Sequence, residues 1–144
     1  NFHVMMKDLY KEIVLVHFRR PRNKGELEGA DVQQRVFNPL CGDEVTVYAN
    51  LRDGGGLAEV TFTGRGCAIS QASASMLAES LEGKERGEAE AEIAAFMEMM
   101  RGTEENEELG ELAALKAIIQ APNRIRCATL AWEAMRRGLE EREA

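Results

Sequence analysis

This 144-residue sequence predicts an α+β fold: a three-stranded antiparallel sheet with an N-terminal helix and several C-terminal helices packed on one face. Three observations carry that reading. Apolar residues ahead of Pro21 recur at helical spacing, short β-rich runs separated by turn residues fill positions 33–62, and helical periodicity returns from Ala68 onward. One helix, then strands, then helices is the order expected when helices collect on one side of a sheet.

In the first helix Leu9, Ile13 and Val16 share a face, with Tyr10, Val14 and His17 beside them; Asp8 sits near its start and Pro21 stops it. Arg22 to Asp31 is polar and contains glycine, which reads as a loop. Strands follow at Gln33–Phe37, at Glu44–Leu51 with Val45, Val47 and Ala49 on one face, and at Leu57–Phe62. Arg52-Asp53-Gly54-Gly55-Gly56 joins the last two as a hairpin turn, since glycines accept the positive φ such turns demand. Beyond Ala68, Ile69, Ser73, Met76 and Ser80 share a helical face with Ala72 and Leu77, and their small side chains suit close packing on the sheet. Ile93, Phe96, Met97 and Met100 form a second stripe, read as core with methionine filling gaps. Leu112, Leu115 and Ile119 form a third, closed by Pro122. A last helix from about Arg124 to Glu140 buries Leu130, Trp132 and Met135.

Residues 1–144 read as a single domain, with the opening Asn1 to Val4 set aside from the functional argument. Eighteen basic against twenty-five acidic residues give a net charge of −7, which argues against nucleic acid as the main partner. No apolar run approaches the ~20 residues of a bilayer span, so no membrane association is expected. Three cysteines without dense spacing do not make a disulfide framework, and a reducing, cytoplasmic setting is expected. The acidic runs at Glu104–Glu108 and Glu140-Glu141 read as solvated faces that also steer a basic partner.

The cysteines carry the chemistry. Cys41 lies in Asn38-Pro39-Leu40-Cys41-Gly42-Asp43, Cys67 follows Thr63-Gly64-Arg65-Gly66, and Cys127 follows Pro122-Asn123-Arg124-Ile125-Arg126. Cysteines beside glycine or at a helix start are poor core filler. Gly42 lets the backbone turn so that Asp43 points where Cys41 does, and Gly64 and Gly66 admit close approach at Cys67. Cys67 ahead of one helix and Cys127 in the first turn of another sit at positive dipole ends, which favour thiolate; Arg65 and Arg126 add to this where they point inward. Cys41, Asp43, Cys67 and Cys127 are therefore candidate ligands of one site. Zn²⁺ accepts such a set as a tetrahedron, with sulfur at ~2.3 Å, and an iron–sulfur cluster accepts it too, held more labilely by the carboxylate. His17 reads as a packed, hydrogen-bonded residue rather than a ligand.

The runs Asn38 to Asp43, Gly64-Arg65-Gly66-Cys67-Ala68-Ile69-Ser70-Gln71-Ala72-Ser73-Ala74-Ser75-Met76, and Arg126-Cys127-Ala128-Thr129-Leu130-Ala131-Trp132 resemble the iron–sulfur cluster assembly scaffolds of the IscU/NifU N-terminal family. The resemblance extends from Leu9 to about Leu139, and Tyr10 and Pro21-Arg22-Asn23-Lys24-Gly25 match its opening helix and loop. Within the family it resembles the SufU-type branch more closely than IscU itself. Arg126 stands where IscU proteins carry a histidine, Gln120-Ala121-Pro122-Asn123-Arg124 replaces the segment a dedicated Hsp70 chaperone reads, and the region of Gly83 to Gly110 is longer. These departures speak against Hsp70-driven delivery. The role of Arg126 itself stays open between pairing with Asp43 and facing solvent.

The resemblance implies that a cysteine desulfurase passes persulfide sulfur to Cys41. It implies that zinc on Cys41, Asp43, Cys67 and Cys127 keeps the site folded, and that downstream assembly or acceptor proteins take the product. In that reading the chain acts as a zinc-dependent sulfurtransferase with Cys41 as acceptor. Two other readings stand beside it: a scaffold on which a transient [2Fe–2S] cluster is built on Cys41, Cys67 and Cys127, and a metal-stabilised structural domain.

Overall fold

The computed structural model describes residues 2–40, 42–119 and 121–143. Helix α1 (Phe2–Arg19) leads into strands β1 (Val32–Asn38), β2 (Asp43–Leu51) and β3 (Leu57–Arg65), which pair antiparallel in the order β1-β2-β3. Helices α2 (Ala68–Leu81) and α3 (Arg86–Arg101), a 3-10 segment (Glu107–Leu112), α4 (Ala113–Ile118) and α5 (Pro122–Glu143) complete the described chain. The predicted α+β class, with an antiparallel meander between one helix and several, is what forms.

Alternation sets the sheet. Val32 and Val36 on β1, Val45, Val47 and Ala49 on β2, and Val60 and Phe62 on β3 all face the core and are buried, and α2 and α5 cover that face. Each strand runs a residue or more beyond the predicted limits. The extension matters at one end: β2 begins at Asp43 opposite Asn38, and β3 continues to Arg65 opposite Glu44. The outer edge of β3 is not left open. Asn23 and Gly25, in the segment read as a plain loop, exchange backbone hydrogen bonds with Phe62, and the Asn23 side chain donates to the Val60 carbonyl at 3.1 Å. Covering the edge in this way blocks pairing with another chain.

The helices differ from expectation in three respects. The first begins at Phe2, well ahead of Asp8. Helix α2 is buried nearly all round from Ser70 to Ala78, not along one stripe, because alanines and serines on every side let α1, α5 and the sheet approach together. Pro122 does not close the preceding helix, which ends at Ile118; it opens α5, where a residue without N–H costs nothing. Trp132 is fully buried, stacks on Phe96 with ring centroids 4.1 Å apart, and donates to Ser73 Oγ at 3.0 Å, tying α5 to α3 and α2.

Candidate metal centre

One end of the sheet brings three structural joints together: the β1–β2 connection, the β3–α2 junction and the start of α5. The first is shaped by Asn38. This residue is buried, its backbone carbonyl accepts from Gly42 N–H at 2.9 Å, and its side-chain oxygen accepts from Leu40 N–H at 3.1 Å. Such self-bonding is how Asn builds a turn. Gly42 takes φ 72°, and the chain re-enters the sheet at Asp43 with the carboxylate turned inward and fully buried.

That carboxylate spans the second joint. Asp43 Oδ1 accepts the backbone N–H of Cys67 at 2.8 Å, and the Cys67 thiol lies 3.5 Å from Oδ2. Cys67 is the N-cap of α2, so Asp43 places negative charge at a helix N-terminus and satisfies one of its free N–H groups. The fit leaves no space at Gly66. A Cβ there would stand 2.0 Å from Asp43 Oδ1 and 2.7 Å from its Cγ, and φ is +139°. Gly64 is tight too, a Cβ meeting the Glu44 carbonyl at 2.5 Å. The close approach read from the two glycines is therefore present, and at Gly66 what approaches is the carboxylate of Asp43.

Cys127 supplies the third joint. It is buried, and its sulfur lies 3.4 Å from the Asn123 carbonyl one turn back. Because α5 starts at Pro122, Cys127 stands in the second turn and not the first, beyond the reach of a dipole effect that fades within one turn. Contrary to the expectation from sequence, a helix end does not activate this sulfur; of the two, Cys67 alone stands at a helix start. Nor does Arg65 turn inward: its side chain is 82% exposed and lies 3.7 Å from Glu44. Glu44 accepts a 2.8 Å hydrogen bond from Arg35, which holds its carboxyl below the usual range with further help from the charges of Arg35 and Arg65, against partial desolvation. Arg126 is exposed.

One ligand atom each from Asp43, Cys67 and Cys127 lies within 4.8 Å of the other two. Cys41, the fourth predicted member, lies outside the described residues. Beside the cluster opens a cavity of about 230 Å³ lined by Asn38, Leu40, Cys67, Asn123, Arg124 and Cys127, with Leu40 exposed at its rim. The donor set suits a thiophilic divalent ion. Two sulfurs and one hard oxygen, mutually close with Asp43 and Cys127 buried and Cys67 half-buried, supply three of the four positions of the mixed tetrahedron that Zn²⁺ accepts. Each thiol now directs its hydrogen to an oxygen, and a cation would take the place of those protons.

The amino-acid sequence matches the family model described as "NifU-like N terminal domain" over residues 9–143. The chain belongs to that family. Among NifU-like relatives it is 37% identical over 145 residues to the zinc-dependent sulfurtransferase SufU of Bacillus subtilis, covering 99% of this chain and 97% of that protein. It is 36% identical over 137 residues to the iron-sulfur cluster assembly scaffold protein IscU of Streptococcus pyogenes, covering 94% and 85%. The crystal structure of the SUF-system protein FiSufU from Fervidobacterium islandicum superposes with a TM-score of 0.82 at 31% identity, covering 89% of this chain and 94% of that one. The expected IscU/NifU N-terminal family and its SufU-type likeness are thus found.

Two residues of this NifU-like site were not singled out from the sequence as builders of it. Asn38 shapes the connection ahead of Asp43, and its signal was available in the Asn-Pro pair that favours turns. Gly66 signals, from the sequence, only a general tolerance for close approach. Which atom needed that tolerance depends on a residue over twenty positions away.

Proposed function

We propose that this chain is an iron–sulfur cluster assembly protein that accepts persulfide sulfur from a cysteine desulfurase on Cys41, at a zinc-bearing site formed by Cys41, Asp43, Cys67 and Cys127. The observation that carries the proposal is the meeting of Asp43, Cys67 and Cys127 at the end of the turn that contains Cys41. Full-length similarity to a protein named a zinc-dependent sulfurtransferase supports it. When bound, zinc supplies a positive charge that keeps the sulfurs deprotonated.

The chain's own residues do the rest. Asp43, locked by the Cys67 N–H, holds the floor of the site, and Cys41 precedes it by two positions in sequence. The 230 Å³ cavity rimmed by Leu40 and Arg124 leaves Cys67 and Cys127 approachable from one side. In the transfer, the Cys41 thiolate attacks the outer sulfur of the desulfurase persulfide. A new S–S bond forms on Cys41, the old one breaks, and the desulfurase cysteine leaves as a thiolate. Exposed Arg124 at the opening favours an approaching anionic sulfur species. Downstream assembly or acceptor proteins then receive the sulfur.

Mass spectrometry of the trapped intermediate tests this: the extra sulfur is expected on the peptide that contains Cys41, and Cys41→Ser should end stimulation of the desulfurase. Label on Cys67 or Cys127 with Cys41→Ser still active refutes the assignment. The 36% identity to a protein named a cluster assembly scaffold favours a second reading, a transient [2Fe–2S] cluster on the same residues. Elemental analysis with a visible spectrum of protein isolated without air separates the two. A colourless protein with one zinc at these cysteines supports the first, and a coloured protein with iron and sulfide supports the second.

A further inference from the structure

At the far end of α2 lies a second group of ligand-type side chains. His17 from α1 is 3% exposed, yet its ring faces two carboxylates: Nε2 is 3.7 Å from Glu79 Oε1 on α2 and 3.8 Å from Glu111 Oε2 on the 3-10 segment. One ligand atom from each of the three lies within 4.8 Å of the others, beside a cavity of about 170 Å³ that Met76 and Leu112 also line. We propose that His17, Glu79 and Glu111 form a second site, for a divalent transition ion of the zinc type, independent of the cysteines.

The distances suit a shared ion better than a close hydrogen bond. A hydrogen bond from an imidazole N–H to a carboxylate needs about 2.7–3.2 Å, and neither oxygen comes that near. Two ligand atoms of one tetrahedral zinc, each ~2.0–2.2 Å from it, stand about 3.4 Å apart, so the observed gaps are a few tenths of an ångström wide of an ion's span. The ring is also set up as a ligand. His17 Nδ1 is 2.8 Å from Ser75 Oγ, and that oxygen already accepts the Arg22 N–H at 2.7 Å. In the tautomer that a metal would select, Ser75 Oγ accepts Nδ1–H with its second lone pair and the Nε2 lone pair faces the carboxylates. Burial disfavours the imidazolium and keeps the ring in its ligating form.

Glu79 is oriented in the same way. Its Oε2 takes a 2.9 Å hydrogen bond from Arg22, turning Oε1 to the histidine. The Arg22 charge opposes a cation, so this site should be weaker than a thiolate site. Both glutamates are partly exposed, with side chains at 44% and 64%, which gives an ion a way in. Cys67 caps the start of α2, and Glu79 lies about 18 Å further along at 1.5 Å per residue, too far for one ion to serve both groups. An ion here would join α1, α2 and the 3-10 segment.

The whole chain, stripped of metal and reloaded with one equivalent of Zn²⁺, is titrated with further Zn²⁺ against a chromogenic zinc indicator. The chain contains only two histidines, so histidine-selective ¹⁵N NMR reads His17 directly. We expect a second equivalent per chain that shifts His17 Nε2, weakened roughly tenfold or more by Glu111→Gln and by His17→Gln with the first equivalent retained. Glu111 is exposed enough that its variant should fold whatever His17→Gln does. Cys67→Ser should weaken the first equivalent and leave the second, so failure of the cysteine site is distinguishable from failure of this one. No second equivalent, or one bound by Glu111→Gln within twofold of the unaltered chain, overturns the proposal.

Discussion

Gly66→Ala tests whether the Asp43–Cys67 contact organises the site. A Cβ at position 66 would lie 2.0 Å from Asp43 Oδ1, 2.7 Å from Cγ and 2.9 Å from Cα, so the carboxylate has to leave. Its departure breaks the 2.8 Å bond from Cys67 N–H, a hydrogen bond to an ionised acceptor worth about 1.5–3 kcal/mol. Holding alanine at φ +139° adds about 1–3 kcal/mol of backbone strain. The expected loss is therefore about 2.5–6 kcal/mol in urea unfolding of the metal-free chain, together with weaker zinc retention against a competing chelator. Gly54→Ala is the control: φ there is +94° with nothing within 4 Å, so it carries strain without the clash and should leave zinc retention unchanged. A Gly66→Ala protein within about 0.5 kcal/mol of the unaltered chain, holding zinc equally well, would refute the reasoning.

Three further expectations follow from the same geometry. Asp43→Ala should loosen zinc without abolishing it, since the sulfurs remain, and should lower the melting temperature by exposing an uncapped α2; equal zinc retention in a chelator competition would mean that Asp43 is only a cap. Phe96→Ala removes the ring stacked on Trp132 in a fully buried position and should cost about 3–5 kcal/mol in chemical denaturation, with a change in Trp132 fluorescence. His17 gives a pH dependence in the metal-free chain. Burial lowers its pKa below 6.5 and Arg22 adds to this, against Glu79 and Glu111, so the unfolded chain takes up the proton first as pH falls. Stability should therefore be level above 6.5 and decline as pH drops through 6.5 toward the folded value, and His17→Gln should remove that slope in unfolding measured across this range.

Much of this protein is written in local pattern. Strand alternation through Val45, Val47 and Ala49, the glycine turn before Leu57, and the stripes around Phe96 and Leu130 depend on neighbours a few positions away, and each formed an element of the predicted type. The cysteine-bearing runs, with Asp43 beside Cys41, were legible in the same way, because a motif is a local string. Element ends were not. Whether Pro122 closes one helix or opens the next, and so whether Cys127 stands in the first turn or the second, depends on how α4 and α5 meet. Tertiary structure also decided which side chains share space. Asp43 came to the N-terminus of α2 because β2 and β3 pair in one register, Arg65 turned away because Glu44 lies across that register, and His17 met Glu79 and Glu111 because three elements distant in sequence pack at one end of the bundle. Periodicity reports the face a residue occupies, whereas contacts between distant residues follow from burying all those faces at once, and no short stretch of sequence contains that constraint.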